Sequence, residues 1–90
     1  MFEPGPIRNW HQIAVGLLMT DVDLALLAFA ALVGRDDRET VARRVREARE
    51  SYDAIRLRRK TIKLSGRESA SLDDKMDRLR AGLRFFGEAV

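Results

Sequence analysis

A 90-residue chain of 10.3 kDa has room for a single small domain, one that buries roughly 60 to 65% of its unfolded surface. Its 46% hydrophobic and 34% charged content, with two prolines, excludes collagen-like, proline-rich and disordered chains. With no cysteine and one histidine, it lacks disulfide frameworks, cysteine zinc sites and thiol nucleophiles, and most triad chemistry too.

The formal charge of +3 is unevenly spread. Residues 1–34 carry −2, residues 35–63 carry +5, and residues 64–90 are balanced, so the positive excess lies in the middle of the chain. Fourteen of the 17 basic residues are arginine, which suits planar ion pairs and phosphate contacts alike.

In chain order, Met1 to Pro6 holds two prolines and a glycine and predicts an extended arm. Ile7, Trp10, Ala14 and Leu17 then recur at helical spacing, which predicts a short helix over about 7–19. Thr20 and Asp23 form a T-x-x-D capping arrangement, which predicts a break there and a new helix over about 21–33. That second helix is apolar nearly all round. One stripe holds Val22, Leu26, Phe29 and Val33, and the next holds Leu24, Leu27, Ala28 and Ala31, so both faces call for cover. Gly34 supplies a stop and Asp37 an N-cap for the next helix.

Val41, Val45, Ala48, Tyr52 and Ile55 recur at 4, 3, 4, 3, a heptad seam on a helix over about 38–63. The register next lands on Arg59 and Ile62, so an arginine must turn its head outward or the helix must leave its partner. A turn around Leu64 to Arg67 offers a capping box at Ser65 and Glu68, with Ser71 and Asp74 competing, so the last helix starts at about 66 or 72 and runs to 87. Its seam of Leu72, Met76, Leu79, Leu83 and Phe86 repeats the same spacing, and Gly87 ends it.

Two matching seams joined by a short turn predict an antiparallel helical hairpin packed on the apolar helix. The expected fold is all-α, a three- to four-helix bundle in one domain spanning 1–90. Its expected core is Leu26, Phe29, Val45, Tyr52, Ile55, Leu72, Met76, Leu79, Leu83 and Phe86.

The hairpin carries a resemblance as well. Ala48-Arg49-Glu50-Ser51-Tyr52-Asp53, then Leu64-Ser65, then Leu72, Leu79-Arg80, Leu83 and Phe86-Gly87-Glu88, resembles small all-helical bacterial proteins with an A-R-x-x-Y-D helix, an L-S turn and a leucine-heptad helix. It covers the C-terminal half, and it implies a fold and no activity.

Four features bear on function. Ile13 to Val33 has the length of a bilayer span. Asp21 and Asp23 near its centre would each cost about 2.5 to 3.5 kcal/mol, more than neighbouring leucines recover, which disfavours a span; the same aspartates interrupt a signal-peptide core. The expected location is accordingly the cytoplasm. Arg56, Arg58, Arg59, Lys60 and Lys63 are five cations in eight residues, enough to attract nucleic acid. They lack interleaved aromatics, point around much of the helix and also suit a helix C-terminus.

Glu47, Glu50 and Asp53 lack the Glu-x-x-His partners of a di-iron bundle and sit at i, i+4 from Arg43, Arg46 and Arg49, with Glu39 and Arg43 a fourth such pair. His11 has no nucleophile or carboxylate nearby in the chain; only folding could bring Asp21, Asp23 or Asp53 to it. The expectation is therefore a non-enzymatic helical module without cofactor or metal. It self-associates as a homodimer, or binds a helical partner, through Trp10, Leu17, Val22, Leu26, Phe29 and Val33. Weak electrostatic nucleic-acid binding by the 56–63 segment is the alternative.

Overall fold

The computed structural model describes residues 6–32, 34 and 37–90, with side chains from Trp10 onward. The extended arm expected for Met1 to Pro6 lies, but for Pro6, outside the described residues, as does Val33. Three helices account for the fold: α1 (Pro6–Ala30), α2 (Arg38–Arg59) and α3 (Gly66–Phe85). Each contacts the other two, and the assembly is long and thin, 54 × 26 × 17 Å.

The hairpin forms for the reasons its sequence supplies. Asp37 takes extended backbone at the N-cap and its carboxylate accepts the Glu39 and Thr40 amides at 3.1 and 3.3 Å. Ser65 resolves the competition for the start of α3: its hydroxyl accepts the Glu68 amide at 3.1 Å while the Glu68 carboxylate accepts the Ser65 amide at 2.9 Å. Gly87, at φ +93°, donates to Arg84 O, and Glu88 donates to Leu83 O, a pair of bonds that closes α3 and needs a left-handed residue at Gly87.

α2 stops at Arg59, four residues short of the expected end, where its seam loses apolar character. Arg59 reaches across to α3 instead of snorkelling to water, donating to Asp73 Oδ1 at 2.6 Å and Ser69 Oγ at 3.0 Å.

The N-terminal expectation requires a correction. Residues 6–30 form one helix with no break at Thr20. The cap at Thr20 loses because Leu18 and Val22, four residues apart and both fully buried, stack on one face only if the helix continues between them. Val15, Leu18, Val22, Ala25 and Phe29 of α1 recur at 3, 4, 3, 4, and Leu32 in the turn after it continues the row, so α1 brings a third heptad seam to the core.

Against it stand Val45, Ala48, Tyr52 and Ile55 of α2 and Leu72, Met76, Leu79 and Leu83 of α3. Leu26, Phe29 and Phe86, expected in the core, are half-buried and pack on its edge. Phe29 and Phe86 stack with ring centres 5.5 Å apart, and Gly82 makes room for the Phe29 ring. Burial of a large apolar side chain stabilises by about 1.5 to 3 kcal/mol, so these three seams are the main source of stability.

Candidate interaction surface

α1 has a second apolar face. Trp10, Ile13, Leu17, Thr20, Leu24 and Leu27 recur at 3, 4, 3, 4, 3, and at 100° per residue this stripe lies roughly 150° around the helix from the buried seam. The five large apolar groups in it are 68, 50, 56, 58 and 65% exposed, respectively, with Thr20 exposed as well. The only other large apolar side chains exposed to this degree among the described residues are Leu57 and Phe85, one on each of the other helices. Scattered apolar residues are ordinary on a surface, whereas a row of five on one helix, interrupted only by Thr20, is not.

The register of α1 against α3 explains part of this exposure. Asp23 pairs with Lys75 at 2.8 Å and Phe29 packs on Gly82, so the two helices run parallel and Gly66, where α3 begins, is level with Ile13 and Ala14. Trp10, His11 and Gln12 lie beyond that level and are exposed. Two ion pairs fix the rest of α1 at this register. Asp21 bonds Arg58 of α2 and Asp23 bonds Lys75 of α3, one on each flank of the outer row. A shallow groove on the α2 side, lined by Leu24, Ala28, Arg44, Glu47, Ser51 and Ala54, extends the row sideways.

Of the residues expected to mediate self-association, Trp10 and Leu17 are on the outer face. Val22 is not: it is fully buried beneath the hairpin, and Leu26 and Phe29 pack against the core, so the outward positions are Ile13, Leu24 and Leu27 instead. The stripe through Leu24 and Leu27 was visible in the sequence, but with both faces of the helix apolar nothing there said which one the hairpin takes.

The basic segment is partly neutralised within the fold. Arg58 is held by Asp21, Arg59 by Asp73, and Arg56 lies 5.8 Å above the Tyr52 ring. Lys60, the C-cap of α2, and Lys63 are exposed. Of the expected i, i+4 pairs, Arg49 with Asp53 forms at 3.1 Å, and Glu47 takes Arg44 at 3.6 Å rather than Arg43. Arg49 also reaches Glu88 at 3.1 Å, tying α2 to the residues after α3. His11 is exposed, while Asp21, Asp23 and Asp53 each face a cation. Among the described residues no group of three or more His, Asp or Glu side chains is placed to hold a metal ion.

The stretch Trp10–Ala30 has the length and apolar composition of a membrane-crossing helix, with about a fifth of it buried against the hairpin. No protein family, curated protein or solved structure matches this chain.

Proposed function

We propose that this protein is a small helical interaction module that self-associates through the outer face of α1. The observation that carries the proposal is the row of five large apolar side chains, each at least half exposed, on a helix whose other face is already satisfied. A second subunit covers such a row at no further cost in sequence, and a twofold dimer is the commonest closed arrangement. The arginine-rich outer surfaces of α2 and α3 keep the resulting particle soluble.

Sedimentation equilibrium at high micromolar concentration tests this: the expected mass is twice the 10.3 kDa of the chain, and a mass of one chain refutes the proposal. Leu24→Asp, at a side chain outside the core, is expected to shift the protein to monomer while its helical circular dichroism is retained.

A second proposal rests on the positive excess of residues 35–63. It is weak electrostatic binding of nucleic acid by Arg56, Arg58, Arg59, Lys60 and Lys63. Arg58 and Arg59 would have to exchange their carboxylate partners for phosphates, which weighs against it. The expected sign is a gel shift at low salt that disappears steeply as salt rises and is reduced in Lys60→Glu. No shift at low salt removes it.

A further inference from the structure

Self-association leaves orientation and register open, and the outer seam of α1 specifies both. Resting on the dimer proposed above, we infer that α1 pairs antiparallel with α1 of a second copy about a twofold axis, in one register. In it Trp10 lies against Leu27 of the second copy, Ile13 against its Leu24, and Leu17 against its Thr20.

Reach sets the orientation. Trp10 stands beyond the start of α3, at the end of the molecule where its own hairpin offers no cover. An antiparallel partner brings the hairpin-supported middle and C-terminal turns of its α1, with Leu24 and Leu27, over that projecting end. A parallel partner brings only its own projecting end, Trp10 against Trp10. Antiparallel packing also sets each helix N-terminus beside the other's C-terminus, the favourable arrangement of the two dipoles.

Overlap sets the register. With Trp10 opening the first heptad, the positions flanking the seam are Ala14, Asp21 and Ala28 on one side and Gly16, Asp23 and Ala30 on the other. Four small residues permit close approach, and Asp21 and Asp23 each carry a cation partner of their own chain. Antiparallel helices match the two alternating seam positions to each other, which leaves one register of full overlap and one shifted by a heptad to either side. In the register inferred here, Asp21 faces Ala14 of the second copy and Asp23 faces its Gly16. Shifted by a heptad one way, Leu17 meets Leu27, Trp10 and Ile13 pass beyond the end of the partner seam, and the Asp21–Arg58 and Asp23–Lys75 pairs each face their own copies; shifted the other way, Trp10 meets Thr20, and Leu24 and Leu27 pass beyond it, so the inferred register alone covers all five apolar groups.

The size of the row agrees. Taking roughly 200 Å² for a large side chain, the five exposed groups present about 600 Å² per copy, so complete mutual cover would bury about 1,200 Å² for the pair, the lower end of stable specific interfaces.

The sequence has no cysteine, so introduced thiols report contacts without background. Ile13→Cys protein is mixed with Leu24→Cys protein, allowed to exchange and oxidised, and the linked species are identified by mass. A disulfide needs Cα atoms within about 7 Å, which the inferred register provides for 13 with 24 and denies to 13 with 13, about 16 Å apart along the axis.

The expected result is a linked heterodimer in the mixture and no linked homodimer of either variant alone. Linkage of Ile13→Cys to itself means a parallel pair. Linkage of Leu17→Cys to Leu27→Cys in preference to 13 with 24 means a shifted register. Either overturns the inference while leaving self-association intact, as does a dimer by sedimentation that links at neither. A monomer by sedimentation that floats with vesicles of anionic phospholipid overturns both: the row then lies on a membrane, and self-association itself is refuted.

Discussion

The hairpin and α1 solve opposite problems. In α2 and α3 one face is a heptad seam and the rest is dense with arginine and carboxylate, so each helix has one way to pack and one face that water accepts. α1 carries, over its described side chains, only Asp21 and Asp23 as charged groups besides a single histidine, and shows two seams on nearly opposite sides. The hairpin can satisfy one of them. The lesson is that the same periodicity has different consequences according to what stands on the other face: in α2 and α3 it fixes a fold, and in α1 it fixes a fold and leaves a second surface in want of a partner.

The difference is largest when a side chain is truncated. Leu79 of α3 is fully buried among all three seams, and Leu79→Ala is expected to cost about 2 to 5 kcal/mol, measured by urea unfolding. Leu24→Ala in α1, at a half-exposed position, is expected to change the stability of the isolated chain by about 0.5 kcal/mol or less. The contrast breaks if Leu24→Ala costs as much as Leu79→Ala at low concentration. It sharpens if the Leu24→Ala penalty grows with protein concentration, because a partner that binds only the folded chain stabilises it by mass action.

A smaller effect is expected where Gly82 of α3 meets the Phe29 ring of α1. A Cβ on Gly82 would lie 3.2 and 3.3 Å from two carbons of the Phe29 ring, which is itself stacked on Phe86. Gly82→Leu must push that ring out, and a loss of about 1 to 3 kcal/mol is expected, with thermal unfolding as the check. Stability equal to the parent would mean that the Phe29 ring is free to swing away and that the contact is loose.

These positions also explain what the sequence made legible. The seams of α2 and α3, the Asp37 cap and the Gly87 stop could be read because polar residues bracket each apolar position and leave one solution. The start of α3 needed the structure, since Ser65 and Ser71 both offer boxes and only the completed one at Ser65 shows which wins. For α1 the T-x-x-D signal at Thr20 was real as a local preference and was overruled by Leu18 and Val22, whose burial depends on contacts with residues more than 30 positions away. The inner seam was hidden for a related reason: Ala25 is a weak hydrophobic marker, and the louder Trp10 and Leu17 pointed to the wrong face.

Helix capping comes next in size. Ser65→Ala removes the hydroxyl that accepts the Glu68 amide and keeps only the backbone half of the box, with an expected loss of about 1 kcal/mol in urea. α3 would then be free to start later, at Ser71, and faster amide exchange confined to residues 66–70 would register that shift. Uniform exchange along α3 would instead mean that the cap is replaced by water without change of boundary.

The smallest effect tests the clamp that orients the outer row. Asp21 with Arg58 and Asp23 with Lys75 hold α1 to α2 and α3, but the four side chains are about a quarter to a half exposed, so solvent screens both pairs. A double-mutant cycle with Asp21→Asn and Arg58→Gln is expected to give a coupling of about 0.2 to 1 kcal/mol that shrinks in salt. The single Arg58→Gln loss is a poorer measure, because Arg58 stands in the last turn of α2 and also interacts with the helix dipole. Asp21 borders the outer row, so a subunit packed there would withdraw water from the pair. The coupling measured on the Leu24→Asp background should therefore stay constant with concentration, while on the parent it should rise as dimer forms. A coupling that is the same in both, at concentrations where the parent sediments as a dimer, would place the subunit contact away from Asp21.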